Sequence, residues 1–207
     1  MINSCNSMEE EEEDCHSEES EYKPNSDGIP IDLFLSKKKQ LTRGGLKLTD
    51  SDGNLVFSVH RSHSHHLFNR ILADSSGTPL IYIAHNLKAT WHGYRKDSSE
   101  EKDIMFRAER TMNTFNKVEF EVLLNNANPD DPKKSIFKMR GSPFYRSCTI
   151  YNGETIVAQT SLMYKLGIRN VIVPRNKFRL TIFPGYADRD FVVALTVIFF
   201  YGRKLWI

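Results

Sequence analysis

Features that define several large protein classes are scarce in this sequence. Three cysteines in 207 residues are too few for a disulfide framework, and an odd number cannot all pair within one chain. No apolar run approaches the ~20 residues of a membrane-spanning helix. The composition, with 11 glycines and 8 prolines, excludes a collagen-like, coiled-coil or wholly disordered chain. We therefore expect a globular fold, because a chain of this length buries roughly 70% of its unfolded surface.

The N-terminus also lacks the apolar segment of a secretory signal. We therefore expect an intracellular, cytoplasmic protein with reduced thiols, and peripheral membrane association or a nuclear location as alternatives. Residues Lys37 to Lys39 are too short a basic run to count as a nuclear address. We expect a monomer.

The net charge of +2 conceals a strong asymmetry along the chain. Residues 1–27 contain ten acidic residues and one basic residue, Lys23, whereas residues 28–207 contain 27 basic and 16 acidic residues. The acidic segment has too little apolar content to offset its ordering entropy, so we expect residues 1–27 to be a disordered tail. The tail either solvates the protein or screens a basic surface of the following domain.

Short β-like segments recur through the rest of the chain. Residues 117–123 alternate polar and apolar side chains, which is typical of a half-buried antiparallel strand. Asn152-Gly153 lies between two such segments and is the strongest hairpin signal. About a dozen strands without a convincing internal helix predict a sandwich or barrel. After an entry segment at 28–39, which is apolar at alternate positions, the segments are 55–59, 70–74, 80–84, 105–110, 117–123, 148–151, 155–160, 171–173 and 177–182.

The C-terminal run from Phe191 to Tyr201 is apolar on every side. Its β-branched residues favour a strand, whereas Asp188 or Asp190 could cap a helix. As a helix it would be about 16 Å long, far less than the ~30 Å core of a bilayer. The residues alone fit either a central buried strand or a helix enclosed by a barrel.

Five stretches, in this order and spacing, resemble the plant LURP-one-related family. They are DGNLVFSV (52–59), GTPLIYIAHNLKATWHGYR (77–95), DIMFRAERT (103–111), GSPFYRSCTIYNGETIVAQ (141–159) and VIVPRNKFRLTIFPGYADRDFVVALTVI (171–198). The resemblance implies a mainly β, Tubby C-terminal-like fold. This fold is a closed antiparallel barrel of about twelve strands around a central apolar C-terminal helix. Here the barrel would occupy residues 28–207 and the helix about 189–201.

The resemblance also bears on function. Phospholipid scramblases and Tubby proteins share this fold, and Tubby proteins bind phosphoinositides and can act as membrane-tethered transcription regulators. The plant family is associated with defence. Basic clusters on the barrel could bind phosphoinositides, other anionic lipids or nucleic-acid phosphates, or could form an ordinary solvated face. The candidate residues are Lys37, Lys38, Lys39, Arg43, Arg140, Arg146, Arg175, Lys177 and Arg179.

Catalytic and metal-binding signals are weak. His60, His63, His65 and His66 could gather a transition metal, but no cysteine or carboxylate lies nearby at ligand spacing, and a polar loop is the simpler interpretation. Cys148 has no evident catalytic partner and reads as a buried thiol. We find no motif for a phosphate loop, a nucleophile elbow or a zinc protease.

Three functional hypotheses follow, and none involves a cofactor. The first is a non-enzymatic regulator that binds anionic phospholipid and is linked to defence. The second is a protein-interaction or DNA-regulatory module without lipid binding, for which the fold gives only an analogy. The third is a metal-binding protein that uses the histidine cluster.

Overall fold

The computed structural model describes residues 28–37, 45–62, 69–86, 90–95, 103–114, 117–125, 136–142, 147–163, 177–185 and 187–202. The expected acidic tail and the expected strand 171–173 lie outside these ranges. Within the described part, twelve strands precede one helix, α1 (Arg189–Gly202). The strands are β1 (Ile31–Lys37), β2 (Leu46–Thr49), β3 (Leu55–Arg61), β4 (Arg70–Asp74), β5 (Pro79–His85), β6 (Thr90–Arg95), β7 (Ile104–Asn113), β8 (Val118–Leu124), β9 (Ile136–Ser142), β10 (Ser147–Asn152), β11 (Thr155–Leu162) and β12 (Lys177–Ile182).

The strands form one closed barrel in sequence order. Each strand pairs antiparallel with the next, and β1 pairs with β12 to close the sheet, with Ile31 opposite Ile182 and Leu33 opposite Leu180. Closure removes the exposed sheet edges that an open sheet would present. The fold class expected from the sequence and the resemblance is therefore confirmed.

Strand alternation places apolar side chains inside the barrel. In β8, Val118, Phe120 and Val122 are buried while the intervening glutamates face outwards. The short strand β2, which the sequence pattern did not separate from its surroundings, follows the same rule with buried Leu46 and Leu48. Two inward apolar residues suffice for a strand whose neighbours on both sides supply the ladder hydrogen bonds.

Helix α1 fills the barrel. Seven consecutive residues, 192–198, have 0% exposure, so this helix is apolar all round because protein surrounds it. The amide of Val192 donates to the Asp188 carbonyl, and the Asp190 carboxylate accepts from the Phe191 amide. Asp188 thus lies at the N-cap position and accepts the first helical bond through its backbone carbonyl, whereas Asp190 lies inside the first turn, where the helix dipole favours its negative charge. The hydroxyl of Thr196 donates to the Val192 carbonyl at 2.9 Å, which satisfies the buried polar group.

Aromatic contacts fix the direction of the helix. Phe191 in the first turn packs edge-to-face on Phe106 and Phe137, with ring centroids 5.2 and 5.0 Å away. Phe200 in the last turn packs on Phe178 of β12, 4.8 Å away. Phe178 lies opposite Leu35, near the end of β1. We call the end of the barrel that holds the last helical turn the helix-C end, and the opposite end the helix-N end.

A close approach on β9 requires glycine. A Cβ atom at Gly141 would overlap the backbone carbonyl of Ser147 and the ring of Phe199. Gly141 therefore lets the helix-C end of the sheet pack against the last turn of α1.

Candidate functional site

Exposed cations lie together on the outer face of β12, β1 and β2. Phe178 and Leu180 of β12 and Leu33 and Leu35 of β1 point into the core. The residues between them therefore face solvent, because side chains alternate along a strand. Lys177 and Arg179, which the sequence pattern predicted to share a face, do so here.

Two lysines flank one serine at the helix-C end of this face. Ser36 of β1 lies opposite Lys177 on one side and opposite Lys47 on the other. The lysines are thus two strand spacings apart, about 10 Å between backbones. Both are exposed, and neither forms a salt bridge within the described residues.

Arg179 lies two residues further along β12, on the same face as Lys177 and opposite Phe34 of β1. Its Nη1 atom is 3.6 Å from Oδ2 of Asp32, while the other oxygen of Asp32 accepts the Thr181 hydroxyl at 2.6 Å. The Arg179 and Asp32 side chains are 51% and 37% exposed, so this contact contributes little stability and leaves the guanidinium accessible. We call Lys47, Lys177, Arg179 and Asp32 the basic face; it carries three cations and one anion.

Arg140, the other candidate whose side chain the structure describes, lies on a different face. Its Nε atom is 3.2 Å from Oε1 of Glu119, which also accepts from Lys117 at 3.0 Å. Lys138 lies 3.6 Å from Glu121 on the same strand pair. We call these five residues the paired face. Strands β10 and β11 separate it from Lys177 and Arg179.

The charges of the paired face affect one another. A hydrogen bond from Lys117 lowers the pKa of Glu119, and the positive charges of Lys117, Arg140 and Lys138 lower it further. Arg140 also lies over the Tyr151 ring, 5.8 Å from its centroid. Arg140 is thus committed to local partners, which makes it a weaker ligand candidate than the cations of the basic face.

The remaining cationic candidates cannot be placed on either face. Only the backbone of Lys37 is described, at the end of β1. The others, Lys38, Lys39, Arg43, Arg146 and Arg175, lie outside the described residues, in the connections from β1 to β2, β9 to β10 and β11 to β12. The described strand ends that these connections join all lie at the helix-C end.

Of the four histidines in the cluster, the structure describes only His60. His60 is an exposed residue of β3, and its Nε2 atom is 2.9 Å from the Ser58 hydroxyl. His63, His65 and His66 lie outside the described residues. Within the described ranges, no three histidine, cysteine, aspartate or glutamate side chains are grouped to hold a metal ion.

Cys148 lies inside the barrel. Its amide donates to the Thr160 hydroxyl at 2.8 Å, and that hydroxyl lies 3.3 Å from the Cys148 carbonyl. Burial raises the pKa of the thiol far above its ordinary value, so the nucleophilic thiolate is suppressed. The position agrees with the buried thiol expected from the sequence.

Sequence reasoning did not identify the cation that supports the end of α1. Arg70 of β4 is 8% exposed, lies 4.3 Å from the centroid of the Tyr201 ring, and donates to the Asn69 carbonyl at 2.8 Å. The last turn of α1 has no basic residue of its own. Arg70 therefore supplies the positive charge that favours a helix C-terminus, which gives it a structural role.

A histidine and a tryptophan also pack together near the helix-C end of the barrel. The rings of His85 and Trp91 pack edge-to-face, 4.6 Å apart. Burial, followed by the positive charge of Arg110, lowers the pKa of His85. His85 is therefore neutral near pH 7 and does not contribute to a cationic surface.

These features first define a class of protein: a closed twelve-stranded antiparallel barrel that encloses its own C-terminal helix and carries a basic outer face. The chain belongs to the LURP-one-related family, whose model matches residues 31–200. Among the described residues, no helix is long and apolar enough to cross a membrane.

The chain is similar to several proteins of Arabidopsis thaliana. It is 42% identical over 188 residues to protein LURP-one-related 7, with 89% of this chain and 98% of that protein covered. It is 29% identical to protein LURP-one-related 15, with 82% and 78% covered. An X-ray structure of another Arabidopsis thaliana protein superposes with a TM-score of 0.60 at 28% identity, covering 83% of this chain and 90% of that one. That similarity supports the Tubby C-terminal-like fold.

Proposed function

We propose that this protein binds anionic phospholipid head groups, phosphoinositides in particular, through the basic face, and that it acts as a non-enzymatic, peripheral regulator. The observation that carries the proposal is the row Lys47–Ser36–Lys177 with Arg179 beside it. Lysine presents a mobile ammonium group on a flexible stem, so both lysines can approach one phosphate-bearing head group. The hydroxyl of Ser36 lies between them as a further donor.

Charge arithmetic sets the expected strength. Each basic residue near an anionic leaflet contributes about 1 kcal/mol, and Asp32 offsets about one of the three cations. The remaining 2 kcal/mol corresponds to roughly a 30-fold preference for anionic over neutral membranes. Binding of this strength is reversible and depends on low ionic strength, which suits a protein that associates with a membrane transiently.

The non-enzymatic part of the proposal rests on the chemistry of the described residues. Cys148 is buried with a raised thiol pKa, which suppresses the nucleophilic thiolate. The carboxylates of the paired face are engaged by cations. We further propose a cytoplasmic monomer that associates with the membrane and acts in the defence setting of its family.

Vesicle co-sedimentation tests the proposal. The full chain is mixed with neutral, phosphatidylserine and phosphoinositide vesicles at low and physiological salt. We expect binding in the order phosphoinositide, phosphatidylserine, neutral, and weaker binding as salt rises. No binding to either anionic vesicle at low salt would contradict the proposal. Salt-dependent binding to DNA without vesicle binding would instead favour a DNA-regulatory module.

A further inference from the structure

We propose that the acidic segment 9–14 of this same chain docks on the basic face and competes with external anions for it. This is an intramolecular site for a named segment of the chain. Its effect on membranes rests on the proposed function, whereas the docking itself does not. Three observations support it: the charges of the two partners, the position at which the described chain begins, and the reach of the intervening residues.

The charges of the two partners are complementary. Glu9 to Glu13 and Asp14 form six consecutive anions. The basic face offers Lys47 and Lys177 without salt-bridge partners among the described residues, and Arg179 in a half-exposed contact. The paired face has no comparable excess, because Glu119 and Glu121 already engage its cations. An acidic segment is therefore attracted to one face in preference to the other.

The described chain enters the barrel on the central strand of the basic face, at the opposite end of that strand from the lysine row. Gly28 is followed by β1, the strand that lies between β12 and β2 and carries Ser36. From Gly28 to Ser36 is eight residues, or at most about 26 Å. Any path from the acidic segment to the barrel therefore ends on the strand at the centre of the basic face.

The intervening chain has a suitable length. Thirteen residues lie between Asp14 and Gly28, and eighteen lie between Glu9 and Gly28. Flexible chains of these lengths have root-mean-square spans of about 20–25 Å. This is comparable with the distance from Gly28 to the lysine row, at most about 26 Å, so the effective concentration of the acidic segment is about 1 mM. Weak ionic contacts are then sufficient for partial occupancy of the face.

Cysteines of the tail allow a direct test of docking. In a Cys5→Ser variant, Cys15 can carry a paramagnetic label, while Cys148 is protected by burial and a raised pKa. At about 0.02 M salt, where the Debye length is about 20 Å, we expect the amide signals of Ser36, Lys47 and Lys177 to broaden more than those of the paired face. At about 0.5 M salt this difference should fall sharply.

Variants separate docking from simple proximity. Replacing Glu9 to Glu13 with glutamine, or applying Lys47→Gln with Lys177→Gln, should remove the selective broadening. The matched control, Lys138→Gln with Arg140→Gln, removes the same number of cations from the paired face. It should leave the selective broadening of the basic face unchanged. Equal broadening of both faces, or broadening that survives the glutamine tail, would overturn the proposal.

Vesicle binding then tests the consequence separately. With phosphoinositide vesicles at low salt, the glutamine-tail chain should bind about two- to tenfold more tightly than the unaltered chain. If selective broadening occurs but no chain binds vesicles, docking stands and the lipid proposal fails. If vesicles bind but both chains show equal broadening of the two faces, docking fails and the lipid proposal stands.

Discussion

The basic face and the paired face occupy the same sheet but distribute their charges in opposite ways. On the paired face, Glu119 lies within 3.2 Å of both Lys117 and Arg140, and Glu121 lies 3.6 Å from Lys138. On the basic face, Lys47 and Lys177 lie on either side of a serine, and Asp32 is the one carboxylate of the described residues that contacts Arg179.

The difference shows how one barrel can use similar residues for two purposes. Opposite charges on adjacent strands stabilise the register of a sheet, whereas like charges around a neutral residue contribute nothing to it. Cations that do not serve folding remain available to an external anion. Local pairing, rather than the number of cations, therefore distinguishes the candidate binding surface.

The largest expected effect is on membrane binding. Lys47→Gln with Lys177→Gln removes about 2 kcal/mol of attraction, so affinity for phosphoinositide vesicles should fall by roughly 30-fold. The variant Lys138→Gln with Arg140→Gln makes the same change in net charge on the paired face and should alter affinity by less than about threefold. Co-sedimentation measures both. Equal losses would show that net charge alone governs binding.

The salt dependence should also differ between these variants. Raising salt from about 0.02 to 0.15 M shortens the Debye length from about 20 to 8 Å and weakens exposed electrostatic contacts. The unaltered chain and the paired-face variant should lose several-fold in vesicle affinity. The basic-face variant should change less, because it has fewer contacts to screen. If raising the salt weakened vesicle binding of the basic-face variant as much as that of the unaltered chain, the binding surface would lie elsewhere.

The sequence pattern predicts which residues of one strand share a face. It does not predict which residues of other strands lie beside them. Alternation predicted that Lys177 and Arg179 share a face, and the run 117–123 correctly indicated a half-buried strand. Lys47 was missed because its closeness to Lys177 depends on β1 lying between β2 and β12. These two residues are 130 positions apart in the sequence, and barrel closure, which no local pattern contains, brings them near each other.

The same limit applies to Arg140 and to α1. Arg140 was grouped with ligand candidates because its pairing with Glu119 depends on the register of β8 and β9. The run Phe191 to Tyr201 was ambiguous because a fully enclosed helix has no polar face to reveal its period. The family resemblance indicated a helix where local propensity favoured a strand.

Folding stability should depend more on the paired face than on the basic face, which is the reverse of the order expected for ligand binding. Glu119→Gln removes two exposed ion pairs and should lower the free energy of unfolding by about 0.5–1 kcal/mol. Lys177→Gln removes no ion pair that the described residues form and relieves repulsion from Lys47, so its effect should lie within about 0.3 kcal/mol of zero. Urea unfolding provides both values. A larger loss for Lys177→Gln than for Glu119→Gln would reverse the roles assigned to the two faces.

The smallest effect is the pH dependence of stability that Glu119 contributes on the paired face. The pKa of Glu119 is lowered in the folded chain, so its ionised form stabilises the fold above its ordinary pKa of 4.5. The stability difference between the unaltered chain and Glu119→Gln should therefore be greatest near neutral pH. It should disappear as pH falls from 4.5 through the lowered value. A difference that grows on acidification would contradict this sign.

The most direct test of the central claim is a map of where a phosphate-rich head group contacts the barrel. Soluble inositol phosphate would be titrated into the full chain at low salt while backbone amide shifts are recorded. The account predicts that the largest shifts occur at Ser36, Lys47, Lys177 and Arg179, with small shifts at Glu119 and Arg140. Shifts centred on the paired face, or none at any described residue, would contradict it.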